Sequence, residues 1–138
     1  MTLEEKGNII PPPVLRQYPE MASIEIQQWE DIISATHWEI HNHNKPNGAD
    51  FYVKEHELGH IHLDGMLHVP STKEISKALI QAKLAEKFIY AQNWVQFRIH
   101  NEASANHAIW IFRLHYDRLC GAGDAQILQR ISEFKVEF

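Results

Sequence analysis

The segment 58–69 constrains the fold most, because apolar and polar residues alternate along it on both sides of Asp64-Gly65. Alternation with a period of two is typical of strands with one buried face, and an Asp-Gly pair is a strong signal for a tight turn. We expect a hairpin with the three-residue loop 64–66, which places His62 opposite His68. A two-residue loop would mix apolar and polar residues on each face. The three-residue loop puts three histidines on one face: His60, His62 and His68.

This histidine face is a candidate site for a metal ion or an anion. His62 and His68 would be cross-strand neighbours with His60 diagonal to them, and Asp64 follows closely in the chain. We therefore expect the ligand-binding residues to be His60, His62, Asp64 and His68. The alternative is a solvated polar face whose histidines bond to one another and to water. A second set of polar residues alternates with apolar ones at 37–43, and we expect these side chains to lie on an exposed face. They are His37, Glu39, His41 and His43.

Residues 56–60 read His-Glu-Leu-Gly-His, which matches the zinc-peptidase pattern HExxH. In such enzymes two histidines one helical turn apart bind zinc and the glutamate activates a water molecule. The corresponding alternative is a zinc-dependent hydrolase with His56 and His60 as ligands and Glu57 as general base. It requires a helix, and the strand signal at 51–53 together with Asp64-Gly65 favours a strand instead. On a regular strand, residues four apart such as His56 and His60 share a face but lie about 13 Å apart, too far to share one ion. We therefore expect no metal site from this motif.

The remaining patterns predict an α+β protein. Three consecutive prolines at 11–13 and a fourth at 19 indicate an extended arm over residues 1–22, followed by a single domain over 23–138. We expect a single-domain antiparallel sheet of about five strands packed against two or three helices. His115 should be a core histidine. The predicted helices are 23–35, one starting at Ser71, 104–120 and 124–134; the predicted strands outside the hairpin are 37–43, 50–53, 88–90 and 94–99, with a turn at 45–48.

Charge and hydropathy exclude several classes of protein. The formal net charge is −5 and the 13 basic residues are scattered, which disfavours nucleic-acid binding. No stretch approaches the roughly 20 apolar residues of a transmembrane helix, and the N-terminus lacks the apolar core of a signal peptide. Cys120 is the one cysteine, so no intramolecular disulfide can form. We expect a cytoplasmic protein that binds neither nucleic acid nor membrane, with a homodimer possible through an exposed sheet edge.

Four strings occur in an order typical of one bacterial family. They are GADFYV at 48–53, ELGHIH at 57–62, WVQFRI at 94–99, and HAI through LHY at 107–116. Over residues 36–119 the chain thus resembles the small bacterial proteins labelled luciferase family or luciferase domain. In that family the position of His56 is often basic, which also argues against a zinc motif. The marker positions that match are Glu57, Gly59, His60 and His62.

The resemblance implies a compact α+β domain but no particular chemistry. Flavin-dependent luciferases resemble a (β/α)₈ barrel of about 250 residues, and this chain has 138 and no glycine-rich phosphate loop. We therefore expect a ligand- or partner-binding module that uses the face of His60, His62 and His68. Its cofactor is unknown, and its partner is an unknown small ligand or protein. The alternatives are the zinc-dependent hydrolase and a cofactor-dependent enzyme, as the family label suggests.

Overall fold

The computed structural model describes residues 12, 14–39 and 41–134. Most of the predicted N-terminal arm lies outside these residues. Within them the chain forms four helices and six strands. Their bounds are α1 Gln17–Gln27, β1 Ile32–Glu39, β2 Asn42–Val53, β3 His56–His62, β4 Met66–Pro70, α2 Lys73–Gln81, β5 Glu86–Lys87, β6 Trp94–Arg98, α3 Glu102–Leu119 and α4 Asp124–Glu133.

The strands form one antiparallel sheet in the order β1-β2-β3-β4-β6-β5. Apolar side chains from one face of this sheet and from all four helices form a single core. Phe51 of β2 meets Phe112 of α3 edge to face in this core, with ring centroids 5.7 Å apart. The helices therefore cover one face, and the residues that alternate with the core residues lie on the other. The predicted α+β class is confirmed, with one strand more than expected.

The first predicted helix, at 23–35, is wrong at both ends. Helix α1 begins at Gln17 and ends at Gln27, and Ile32 and Ile33 belong to β1. Pro19 lies in the first turn of α1. The N–H groups of a first helical turn have no acceptor within the helix, so the N–H that proline lacks costs no helical hydrogen bond there. Asp31 takes a positive φ of 65° between the helix and β1. The expected boundary at residue 22 thus falls inside α1.

The turn between β1 and β2 is also displaced from its predicted position at 45–48. Glu39 pairs with Asn42, so β1 and β2 are joined well before residue 45, and Pro46 lies within β2 opposite Trp38. Pro46 is tolerated because the pairing of β2 with β3 begins only at Gly48, which leaves one side of β2 unpaired at the proline. The proline and glycine signals at 46–48 therefore mark the entry to a central strand rather than a turn.

The β3–β4 hairpin has a different register from the predicted one. His60 pairs with His68 and Ile61 with Leu67, so the turn is formed by residues 63–65. The Asp64 carboxylate accepts the N–H of Met66 at 3.0 Å, and the N–H of Gly65 donates to the carbonyl of His62 at 3.0 Å. These bonds start the turn one residue earlier than expected. Because the shift is two residues, every side chain keeps its face.

The later elements follow their predicted order. Helix α2 is capped by Thr72, whose hydroxyl accepts the N–H of Ile75 at 3.1 Å, rather than by Ser71. Helices α3 and α4 lie within two residues of their predicted bounds, whereas the strand predicted at 88–90 is replaced by β5 at 86–87. No helix in the described part of the chain is long and apolar enough to cross a bilayer.

Candidate metal centre on the open face of the sheet

A row of polar side chains crosses the sheet on the face opposite the helices. Asp50 of β2 pairs with His60 of β3, which pairs with His68 of β4. His62 lies two residues after His60 and so shares its face. The structure therefore brings together the three histidines that the sequence predicted on one face.

The nitrogen atoms of these three rings are close. Nδ1 of His68 lies 3.2 Å from Nε2 of His60 and 3.0 Å from Nε2 of His62. One neutral imidazole nitrogen carries either a hydrogen or a single lone pair, so Nδ1 of His68 can form a good hydrogen bond with only one of its two neighbours. Both separations are near the roughly 3.3 Å between ligand atoms of a tetrahedral ion with nitrogen bonds of about 2.0 Å.

His37 of β1 is a fourth member of the cluster, although the sequence placed it on an exposed face. Its side chain is only 18% exposed, and its ring stacks on that of His60. One nitrogen from each of His37, His60 and His62 can be chosen so that all three lie within 4.8 Å of one another. His37 lies at an irregularity in the β1–β2 pairing between Thr36 and Trp38. His41 is exposed, as expected, and the side chain of His43 lies outside the described structure.

Two carboxylates hold the outer nitrogens of this cluster. Nδ1 of His37 lies 2.7 Å from the buried carboxylate of Asp50, and Nδ1 of His60 lies 3.7 Å from the same oxygen. Nδ1 of His60 also lies 3.3 Å from Oε1 of Glu57. A carboxylate on one ring nitrogen leaves the lone pair on the other, which is the usual arrangement behind a metal-bound histidine. Asp50, Glu57 and His60 also form a second possible ligand group.

The imidazoles are held in the form that binds metals. Burial lowers the pKa of His60, against the opposing hydrogen bond from Glu57. Burial, reinforced by the neighbouring imidazoles, lowers the pKa of His62 to about 3 and that of His68 to about 4. At neutral pH these rings are therefore uncharged and can offer lone pairs to a cation.

Apolar and amide groups also contact the cluster. The ring of Phe88 stacks on His68 with centroids 4.1 Å apart, and Trp94 lies 5.9 Å from His60. The side-chain amide nitrogen Nδ2 of Asn47 lies 3.1 Å from Nδ1 of His62. His37, His60 and His62 thus each have a polar neighbour at the outer ring nitrogen, whereas Phe88 packs on the face of His68.

The HELGH segment does not form the helix that a zinc hydrolase requires, because it is strand β3. Phe51 pairs with Gly59 and Tyr52 with Glu57, so Leu58 is an additional residue that forms a bulge. The bulge places Glu57, rather than His56, beside His60. His56 is exposed and lines a cleft of about 270 Å³ together with residues of α3. The expectation that residues 56 and 60 share a face is wrong for this reason.

Asp64 is not brought to the histidine cluster. It lies in the exposed β3–β4 turn, where it caps the backbone of Met66 and approaches Arg98 at 3.8 Å. The carboxylates that do reach the histidines are those of Glu57 and Asp50, and sequence reasoning missed Asp50. The strand that contains Asp50 was predicted. The β2–β3 register that places Asp50 beside His60 was not.

Residues 55–115 match the family model described as Luciferase domain. No curated protein and no solved structure matches the chain significantly. The match is narrower than the predicted 36–119: it includes His60, His62 and His68, and it leaves His37 and Asp50 outside. The resemblance predicted from the sequence is confirmed, and residues 55–115 of this chain carry the sequence pattern of the luciferase-domain family.

Proposed function

We propose that this chain is a metal-binding module that holds one first-row transition-metal ion on the open face of its sheet. The ligands come from four histidines: His37, His60 and His62, which can each offer one nitrogen within 4.8 Å of the others, and His68, whose Nδ1 lies beside His60 and His62. Imidazole ligands suit zinc, copper, nickel and iron better than magnesium or calcium. The observation that carries the proposal is the position of His68 Nδ1, 3.0 and 3.2 Å from two other imidazole nitrogens.

Hydrogen bonding among the rings accounts for this arrangement less well than a metal ion does. His60 is buried, and His62 and His68 are half-buried, so water has limited access to their nitrogens. If only hydrogen bonds held the rings, one of the two nitrogen–nitrogen contacts of His68 Nδ1 would have no hydrogen atom between its nitrogens. Such a contact costs free energy, and a cation shared by the nitrogens would remove this cost. A divalent ion would also offset the charge of the buried Asp50 carboxylate.

The carboxylates have a distinct part in this proposal. Asp50 and Glu57 lie 2.7 and 3.3 Å from the outer nitrogens of His37 and His60, and so favour protons on those atoms and direct the inner nitrogens toward the ion. Loss of such an outer partner typically reduces metal affinity about 10–100-fold.

The test is the metal content of untagged protein purified without chelator, measured by inductively coupled plasma mass spectrometry. It is followed by titration of the metal-free protein with Zn²⁺ in competition with a chromophoric chelator, and with Co²⁺ as a spectroscopic probe. Variants His62→Gln and His68→Gln remove one cluster nitrogen each. His56→Gln is the matched control, because it alters the HELGH motif outside the cluster. We expect one ion per chain in wild type and control, and affinity at least about 10-fold weaker in the two cluster variants.

Two outcomes would reject the proposal. If zinc, cobalt, nickel, copper and iron all fail to bind the metal-free wild type, the histidines form only a polar face. If His56→Gln loses the metal as completely as His62→Gln, the HELGH motif rather than the cluster determines binding. Circular dichroism of each variant separates loss of a ligand from loss of the fold.

A further inference from the structure

A second concave surface lies between helix α2 and the loop 88–93 that joins β5 to β6. Its volume is about 570 Å³, within the range of roughly 300–1,000 Å³ that is usual for small-molecule sites. The loop is held in place by backbone hydrogen bonds, from Phe88 N–H to the carbonyl of Trp94 at 3.2 Å and from Ser71 N–H to the carbonyl of Asn93 at 3.0 Å. The cleft is therefore shaped by fixed backbone.

The charged residues that line this cleft are all basic. Lys73 and Lys77 of α2 and Lys87 of β5 line it, and no aspartate or glutamate does. None of the three lysines forms an ion pair with any residue in the described ranges. In a chain with a net charge of −5, this leaves an uncompensated basic site.

The lysines of α2 are not explained by the stability of the helix. Lys73 is the first residue of α2, where the helix macrodipole disfavours a cation. Lys77 lies four residues later on the same side of the helix, and like charges at this spacing repel each other. An anion bound between these side chains would offset both the unfavourable interaction of Lys73 with the helix macrodipole and the repulsion between the two lysines.

The opposite wall of the cleft is aromatic. Phe88, Tyr90 and Trp94 line it, and Phe88 meets Tyr90 edge to face with centroids 5.7 Å apart. Tyr90 is 83% exposed and the neighbouring Ile89 is 74% exposed, so apolar surface is open to a ligand here. Phe88 also stacks on His68, and is thus a wall shared by the cleft and the histidine cluster.

We infer that this cleft binds a small organic anion, with its charged group on the lysines and an apolar or aromatic body on the wall of Phe88, Tyr90 and Trp94. A carboxylate, sulfonate or phosphate ester has the required chemistry. This inference goes beyond the metal centre and does not depend on it, because none of the three lysines belongs to the histidine cluster.

The test uses two fluorescent probes that share one ring system. 8-Anilinonaphthalene-1-sulfonate carries the anionic group, and N-phenyl-1-naphthylamine lacks it. Each is titrated into full-length wild type, the double variant Lys77→Gln/Lys87→Gln, and the control Lys54→Gln, whose lysine is exposed in the β2–β3 turn. We expect saturable binding of the sulfonate at one site per chain, weakened about 10-fold or more in the double variant and unchanged in the control.

The variant Tyr90→Ala should weaken binding of the sulfonate through loss of the aromatic wall. The inference is overturned if the wild type shows no saturable sulfonate binding, or if the double variant binds the sulfonate as tightly as wild type does. It is also overturned if the neutral probe loses affinity in the double variant as strongly as the anionic one. Zinc affinity is measured on the same variants and should not change, so failure of this inference is distinguishable from failure of the metal centre.

Discussion

The imidazole rings of His37 and His60 are stacked, with centroids 4.1 Å apart and planes inclined by 14°. The Nδ1 atoms of both rings face the same carboxylate oxygen of Asp50, at 2.7 and 3.7 Å. One buried side chain on β2 thus orients a ring from β1 on one side and a ring from β3 on the other. With His68 on β4, the cluster depends on four adjacent strands, and its geometry can be tested from each of them.

The first prediction concerns His37 as a ligand. His37→Phe keeps an aromatic ring on His60 but removes both nitrogens, and His37→Gln keeps an N–H for Asp50 but removes the ring. We expect both variants to bind Zn²⁺ about 10-fold or more weakly in the chelator competition. His41→Gln, an exposed histidine in the following turn, is the control and should bind as wild type does. Wild-type affinity in His37→Phe would remove His37 from the ligand set.

The second prediction separates the two aspartates near the histidines. Asp50→Asn removes the charge that holds His37 and His60, and we expect zinc affinity to fall about 10–100-fold. Asp64→Asn keeps an oxygen that can accept the N–H of Met66, and because Asp64 lies outside the cluster its affinity should stay at the wild-type value. Equal losses in the two variants would mean that general charge, rather than the position of Asp50, controls binding.

The shared face of His60, His62 and His68 was predictable because it depends only on strand parity. The register of the β3–β4 hairpin was not predictable in this way. The Asp64 carboxylate accepts the N–H of Met66, and this bond starts the turn one residue early. The same limit applies to Asp50, whose contact with His60 depends on the β2–β3 register.

The bulge at Leu58 is a tertiary effect that residue patterns do not reveal. It accommodates Gly59 beneath Phe112 and turns Glu57 toward His60. Sequence periodicity assumes an uninterrupted strand, so it gave His56 the wrong face. His37 was missed for a related reason, because its contact with His60 depends on the register of β1, β2 and β3, which residue patterns do not give.

The third prediction concerns acid stability and His115, which is a buried core histidine as expected. Its Nδ1–H donates to the carbonyl of Ile111 at 2.7 Å, and the hydroxyl of Ser71 donates to its Nε2 at 2.8 Å. Burial lowers the pKa of His115 to about 4, against an ordinary value of 6.5. The unfolded chain therefore takes up this proton at higher pH than the folded chain does.

The contribution of His115 to stability is therefore complete above about pH 6.5 and is lost as the pH falls toward 4, with a total of about 3 kcal/mol. Urea unfolding of metal-free protein at several pH values measures it. His115→Gln should lose less stability than wild type over this range, because the other histidines titrate equally in both proteins. Parallel pH profiles for the two proteins would contradict the prediction.

The fourth prediction concerns Gly59, which supports the bulge and precedes His60. Its φ is +148°, and a Cβ at this position would lie 2.8 Å from the carbonyl oxygen of His68 and 2.9 Å from the ring of Phe112. The carbonyl belongs to the adjacent strand and cannot move independently of it. We expect Gly59→Ala to lower the free energy of unfolding by about 2–4 kcal/mol through backbone strain and overpacking.

Gly123→Ala is the matched control, because no heavy atom lies within 4 Å of its added Cβ. Its φ of −70° also suits alanine, so a change below about 1 kcal/mol is expected at this helix cap. Urea unfolding measures both variants. Relief of the clash in Gly59→Ala must move β3 away from β4, which separates His60 from His68. The folded fraction of Gly59→Ala should therefore also bind zinc more weakly, whereas wild-type affinity in a destabilised Gly59→Ala would show that the centre tolerates displacement of β3.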